Sequence, residues 1–219
     1  MVIIGIDPSL NSTAITIYKN SEYKIFNYTN NKPTYKWIKE IDKLVNFTFH
    51  KFIDSKDYSE SEIDKLKMYD IITSSIVTDI KLFADNNTSI YIEGYSYSSQ
   101  QGKLIDLVTF STLLRLKLLD IKNIKINVVP PSSLKKYISD VVYEKDKKGI
   151  SRNEDGKAGG SFDKKDMMIA LLKLDLNIDY FYYLEENKNV LLKKKNISKP
   201  FDDLNDSILL AYFGLLNND

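Results

Sequence analysis

The sequence has no cysteine, a single histidine and no apolar run long enough to cross a membrane. The absence of cysteine excludes disulfides, Cys-ligated zinc and a thiol nucleophile, and it is compatible with a reducing compartment. The lone histidine, His50, lies in the apolar and aromatic stretch NFTFHKF. One imidazole cannot build a multi-histidine metal site, so a structural role is expected for it. Any metal chemistry must therefore rest on carboxylates, which favour Mg²⁺ or Mn²⁺ over zinc. No window approaches the ~20 apolar residues of a membrane-spanning helix. The N-terminal apolar run is short, carries Asp7 and lacks a basic leader. A soluble, cytoplasmic protein without a membrane partner is expected.

Charge of one sign is also lacking, since the net charge is +1 over 219 residues. No global field announces a polyanionic partner, but the distribution is uneven. From Arg115 to Tyr137 there are six lysines and arginines against one acid, Asp120. Such a strip fits either a nucleic-acid face or a solvated helix and loop. A hydrophobic content of 43% supports a real core, and the length fits one domain, 1–219, with insertions. There is no internal repeat. The richness in Lys, Asn, Ile and Tyr points to an AT-rich genome.

The chain alternates strand and helix signals. Val2 to Asp7, Thr13 to Tyr18 and Tyr23 to Tyr28 read as three strands with hairpin-like connections at Asn11-Ser12 and Asn20-Ser21. Thr34 to Phe52 is helical or mixed. Ser59 to Ala84 has helical periodicity, with Ser59 or Ser61 as cap. Ser89 to Glu93 is a strand, Gly102 to Leu119 an apolar helix, and Ile124 to Val129 a strand stopped by Pro130-Pro131. Ser132 or Ser133 can cap a short helix through Ile138. Ser139 to Ser161 is polar and glycine-bearing, and reads as a mobile loop. Ser161 to Leu174 and Asp202 to Leu216 read as helices, while Asn177 to Pro200 resists assignment. The order predicts an α/β fold: a mixed five-stranded sheet, three antiparallel strands first, then alternating strands with helices on both faces.

Against that order, four carboxylates stand out. Asp7 and Glu93 each end an apolar strand, and strand ends are where open α/β sheets place their ligand sites. Asp203 and Asp206 are three apart, hence on one face of the last helix. Asp202 competes with Asp203, but only Asp203 keeps that spacing. Four converging acids cannot all stay ionised without cations. Two Mg²⁺ or Mn²⁺ ions per site, roughly 4 Å apart, would resolve the repulsion and support in-line phosphodiester hydrolysis. Taken singly, each acid has a plainer role: a turn starter before Pro8, a strand-end residue before Gly94, a helix cap.

These segments resemble the RuvC-like Holliday-junction resolvases, of the RNase H-like superfamily. IGIDPSLNSTAITIY looks like that family's first strand, catalytic Asp and second strand, and YIEGY like its second acidic motif. VVPPSSLKKYIS, GGSFDKKDMMIALL and DDLNDSILLAYF look like its later strand, basic helix start and closing acidic helix. The resemblance covers most of the chain. It implies Asp7, Glu93, Asp203 and Asp206 as metal-binding acids, and Lys164 as the basic catalytic residue, with Lys165 as the alternative register. It further implies a homodimer that makes paired nicks in a four-way DNA junction, DNA-associated in a bacterial or infected cell. Lys135, Lys136, Lys157, Lys164, Lys165 and Tyr95 are candidate DNA contacts. Tyr95, Tyr97 and Phe162 could stack on bases or simply pack. The Leu104 to Leu119 helix is a candidate dimer surface or ordinary core.

The chain departs from the family in extra residues at 34–60, 139–161 and 177–200 and in Ser207 where alanine is usual, features closer to phage or viral relatives. Other readings stay open: a nuclease of the same fold acting on an RNA–DNA hybrid, a transposon end or a packaging intermediate, or a fold-bearing DNA-binding protein. IDPSLNST also resembles the phosphate loop of actin/hexokinase-like kinases, although the second lobe and glycine-rich adenosine motif of that class are missing.

Overall fold

A computed structural model describes residues 1–51, 56–95, 101–193 and 196–218, the side chains of 101–103 excepted. Its centre is a six-stranded mixed sheet. The strands are β1 (Val2–Asp7), β2 (Ser12–Lys19), β3 (Glu22–Thr29), β4 (Asn46–Phe49), β5 (Thr88–Glu93) and β6 (Ile124–Val129). They lie in the order β4-β3-β2-β1-β5-β6. β1, β2 and β3 are antiparallel neighbours, and β5 and β6 continue parallel to β1. The run β3-β2-β1-β5-β6 holds the expected five strands of a mixed sheet, the first three antiparallel. β4 is a correction to the five-strand expectation: a short strand inside the 34–60 insertion that pairs parallel to the outer edge of β3.

Seven helices are described: α1 (Lys36–Ile41), α2 (Tyr58–Phe83), α3 (Gln101–Leu119), α4 (Pro131–Val142), α5 (Lys164–Lys173), α6 (Asp179–Lys193) and α7 (Phe201–Leu216). The Asn20-Ser21 hairpin is tight, with both residues at positive φ (52° and 65°), the turn type that matches strand twist. Asp57, not Ser59 or Ser61, caps α2 by accepting from the Glu60 N–H. Pro131 opens α4 at a position where its missing N–H costs nothing, with no serine cap. The predicted loop at 139–161 is shorter and better pinned than expected. α4 runs on to Val142, and the remainder folds into two turns closed by the bridges Lys145↔Ser151 and Arg152↔Ala158. The unassigned 177–200 stretch contains α6.

Strand parity sorts the core into two layers. Val2, Ile4, Ile6, Ile90 and Ile92 face α2 and α3, with Tyr69 and Phe110 packed edge to face. Ile3 and Tyr91 face the other way, into the layer holding α4, α5, α6 and α7. Asp7 shares the parity of Ile3 and Gly5, and Glu93 that of Tyr91, so alternation directs both acids to the α7 side.

α7 is almost wholly buried and lies directly on β1. A Cβ on Gly5 would stand 2.1 Å from the Ser207 carbonyl oxygen and 2.4 Å from the Ala211 nitrogen. Ser207, the departure from the usual alanine, has a function in this contact. Its Oγ donates to Leu204 O at 2.8 Å and lies 2.8 Å from Oγ1 of buried Thr16, the cross-strand partner of Gly5. Ser207→Ala is therefore expected to orphan the Thr16 hydroxyl. A loss of about 1–2 kcal/mol should read as a melting-temperature drop of roughly 3–6 °C in a chain of this size. An unchanged melt would remove this hydroxyl pair from the fold's support.

Candidate active site

The register brings the acids together. β1 and β5 are parallel, with Ile6 opposite Ile92, so Asp7 and Glu93 leave the sheet side by side at its C-terminal edge. From Gly5, which touches Ser207, Asp7 lies two residues farther along β1, about 7 Å. One turn back along α7 from Ser207, about 6 Å, lies Asp203. Strand and helix steps thus match, and Asp203 meets Asp7. Asp206, on the same helix face, completes the group.

Asp7, Asp203 and Asp206 are only 4%, 1% and 5% exposed. Burial pushes the Asp7 carboxyl well above the usual range, and the charges of Glu93 and Asp206 push it further. Glu93 is pushed up to about 7, first by burial and then by Asp206. Burial, and next the charge of Asp7, raises Asp203 well above its ordinary value. Asp7 and Glu93 are hydrogen-bonded to each other.

Two lysines answer these acids. The Lys164 ammonium donates to Asp206 Oδ2, and the Lys199 ammonium donates to Asp203 Oδ1 and stands 3.4 Å from Asp202 Oδ2. Burial opposes the charge on Lys164, but Asp206, Asp7 and Glu93 outweigh it and hold its pKa well above the usual lysine value. α5 delivers this lysine in its first turn. A capping box between Asp163 and Asp166 fixes that helix start.

Asp7, Glu93, Asp203, Lys164 and Lys199 line a cavity of about 450 Å³, with Ser9, Leu10 and Asn11 of the β1–β2 turn and Leu107 of α3 as further wall. The structure separates the two register alternatives. Asp203 lines the cavity and Asp202 does not. Lys164 reaches the acids, while Lys165 turns away to donate to Leu192 O at 2.7 Å.

The other predicted DNA contacts are dispersed. Lys135 donates to Phe162 O at 2.6 Å and lies close enough for its charge to act on Glu93. Lys136 is exposed beside it on α4. Lys157 is held by Asp163 and Asp166, both at 2.8 Å, and so clamps the 143–158 turns to the start of α5. Asn153 adds to the clamp through Asp166 Oδ1. Tyr95 stacks under Arg115 at 4.6 Å and meets Thr112, while Arg115 donates to the Glu93 carbonyl. Phe162 takes the packing alternative: it is 1% exposed and packed edge to face on Tyr143. Tyr97 lies outside the described residues. His50 stacks on Tyr28 as a packing residue, as expected.

No family model matches the sequence, and no curated protein is matched by it. Two solved structures overlay it along nearly its whole length. One is a Thermus thermophilus RuvC structure, 11% identical with a TM-score of 0.48, covering 100% of this chain and 97% of that one. The other is T. thermophilus RuvC in complex with Holliday junction substrate, 9% identical with a TM-score of 0.49, covering 99% and 96%. At such identity and overlap, what this chain does has to be read from its own side chains.

Those side chains fit a hard cation. The donors are all oxygen, and Asp203 Oδ2 is buried without a hydrogen-bond partner. Among the described residues, no three acids or imidazoles stand together as a preformed metal ligand set. Asp203 and Asp206 are instead engaged by ammonium groups. Among the described residues no helix is long and apolar enough to cross a membrane.

A pH dependence follows. Asp7, Glu93 and Asp203 all have folded-state pKa values raised above their unfolded ones. Their contribution to stability is complete below the unfolded values and is lost as pH rises through the folded ones. For Glu93 that window runs from 4.5 to about 7. Lys164 and Lys199 stay charged throughout it and add no slope. The melting temperature without metal is expected to fall between pH 5.5 and 8, and Mg²⁺ to raise it more at pH 8 than at pH 6. Thermal melts across this range check both; equal Mg²⁺ shifts at the two pH values would sink the idea.

Proposed function

We propose that this chain is a divalent-metal-dependent endonuclease of RuvC-like type that nicks branched DNA, the four-way junction being its substrate. The observation that carries this is the convergence of two strand-end acids and two acids of one helix at a single sheet edge, with Lys164 among them. Asp7, Glu93, Asp203 and Asp206 would hold Mg²⁺ or Mn²⁺, which when bound lowers the pKa of a water and neutralises charge on the phosphate. The chain's own groups do the rest. Lys164, ionised at any physiological pH, keeps Asp206 oriented and places a positive charge beside the reacting phosphate. The Pro8-to-Asn11 turn and Leu107 form the part of the cavity wall that carries no acid or lysine. Lys135 and Lys136 of α4 would meet the DNA backbone, Lys135 being near enough to Glu93 for its charge to act there.

The junction, rather than a nuclease substrate in general, is favoured by the motif resemblance in sequence. A second copy of the chain fits the outer face of α3, where Ile105, Leu116 and Leu119 are exposed while Phe110, Leu114 and Leu118 are buried in the core. The kinase reading is disfavoured by Thr13. Its hydroxyl donates to Ser9 O at 2.6 Å and accepts from Ser9 N at 3.1 Å, which closes the turn instead of offering a phosphate donor.

The test is a Mg²⁺-dependent cleavage assay on a four-way junction, an RNA–DNA hybrid and a linear duplex, beside Asp206→Asn. Nicking of the junction in preference to the other two, lost in the variant while DNA binding survives, is expected. Preference for the hybrid or the duplex would overturn the substrate, and undiminished cutting by Asp206→Asn would overturn the site.

A further inference from the structure

Lys164 is flanked by two carboxylates, Asp163 and Asp166, that serve the start of α5 and not the cavity. Asp163 Oδ1 accepts from the Lys165 and Asp166 backbone N–H groups at 2.9 and 3.1 Å, and Asp166 Oδ2 accepts from the Asp163 N–H at 2.8 Å. The same two side chains carry the inserted 143–158 turns. The Lys157 ammonium bridges Asp163 Oδ2 and Asp166 Oδ2, each at 2.8 Å, and Asn153 Nδ2 donates to Asp166 Oδ1 at 2.8 Å. Asn153 and Lys157 are also locked to each other. The Asn153 N–H donates to Lys157 O at 3.0 Å, and the Lys157 N–H donates to Asn153 Oδ1 at 2.8 Å. At the other end of α5, Lys173 donates to Glu154 and lies over the Tyr143 ring, 4.5 Å from its centre. The turns thus brace α5 at both ends.

The helix needs that brace. It is ten residues long, and a helix so short holds its first turn only with outside support. Its capping box also sets two like charges side by side, since Asp163 Oδ2 and Asp166 Oδ2 share one ammonium. Without Lys157 these carboxylates repel at close range, and the turn they cap loosens. Lys164 lies inside that turn. Its side chain is 44% exposed and reaches Asp206 only from where the backbone sets it.

We propose that Lys157 and Asn153 are positioning residues for DNA cleavage: through Asp163 and Asp166 they hold the first turn of α5, and so keep the Lys164 ammonium beside Asp206 and the cavity. This rests on the nuclease reading above and deepens it. It gives the 143–158 insertion a task in the chemistry, and it takes Lys157 out of the set of DNA contacts, because its ammonium is spent on two carboxylates of its own chain.

The test is single-turnover cleavage of the four-way junction at increasing protein concentration, which gives a plateau rate and a half-saturating concentration. Lys157→Met is expected to lower the plateau by roughly ten- to a hundredfold, the range in which a small misplacement of a reacting group is felt. Its half-saturating concentration and salt dependence should match the wild type. Lys157→Arg, whose fork can span both carboxylates, should restore most of the rate. A kept plateau with a raised half-saturating concentration and a salt slope reduced by about 1 would make Lys157 a DNA contact and defeat the proposal. A lowered melt with the plateau kept would defeat it too, leaving the turns a support of the fold alone. In both cases the active wild type leaves the nuclease reading standing, whereas a wild type that cuts no DNA overturns that reading and the inference with it. Should Lys157→Met melt below the assay temperature, Asn153→Ala, which removes the amide bond to Asp166, decides by the same criteria.

Discussion

Asp7→Asn is expected to cut metal-dependent DNA cleavage by roughly a thousandfold or more and, in metal-free buffer, to make the protein more stable. The two effects share one cause. Asp7 is buried beside Glu93, Asp203 and Asp206, and burial and neighbouring acids both oppose its ionisation. Asparagine has nearly the same shape, keeps the hydrogen bond to Glu93 by offering its amide as donor, and stays neutral without the cost of taking up a proton or burying a charge at neutral pH. The gain is on the order of 1 kcal/mol, read as a melting-temperature rise of roughly 2–4 °C. The loss is larger on the metal-dependent reading, because a neutral amide cannot stand in for a carboxylate that would gather the cation. A thousandfold loss corresponds to about 4 kcal/mol of transition-state stabilisation. An acid with a merely structural part, as the starter of the Pro8 turn, would give the opposite pair: activity kept and stability lowered. Single-turnover cleavage on the four-way junction and a thermal melt without metal, run on the same preparation, separate the two.

Much of this site was legible in the chain because short-range rules locate it. Strand alternation alone places Asp7 with Gly5 and Glu93 with Tyr91, and helical spacing alone puts Asp203 and Asp206 on one face. What was not legible depends on partners distant in sequence. β4 is four residues long and half exposed, so its only reason to be a strand is the open edge of β3. α6 mixes aromatic, acidic and basic residues with little periodicity, and becomes a helix by seating Tyr180, Phe181 and Leu184 in the α7 layer. The 143–158 turns read as mobile because their glycines and charges are visible in sequence. The clamp on them is not, since Lys157 and Asn153 meet Asp163 and Asp166 only once α5 has formed. Lys199 was missed for a related reason. It belongs to no strand end and no helical face, and acquires its place only when α7 docks on β1.

That docking sets the largest stability effect expected. Gly5→Ala should destabilise the fold by about 3 kcal/mol or more, lowering the melting temperature by roughly 6–12 °C. The added methyl would sit 2.1 Å from the Ser207 carbonyl oxygen and 2.4 Å from the Ala211 nitrogen. Both are backbone atoms of a buried helix, so no side chain can rotate away. Either β1 or the whole of α7 must shift, and Ser207 would then lose its 2.8 Å contact with Thr16. The consequence reaches the chemistry. Asp203 and Asp206 are carried on the same helix, one turn before and one residue before Ser207, so a displacement of α7 moves both away from Asp7 and Glu93 together. Gly5→Ala is accordingly expected to weaken Mn²⁺ binding in the fraction that stays folded, although it touches no carboxylate. Gly160→Ala serves as the comparison, since a Cβ there meets nothing within 4 Å and should change stability by no more than about 0.5 kcal/mol. Denaturant melts of the two variants with Mn²⁺ titrations at low temperature measure both links. A Gly5→Ala protein as stable as Gly160→Ala would show that α7 does not rest on β1 as closely as the site requires.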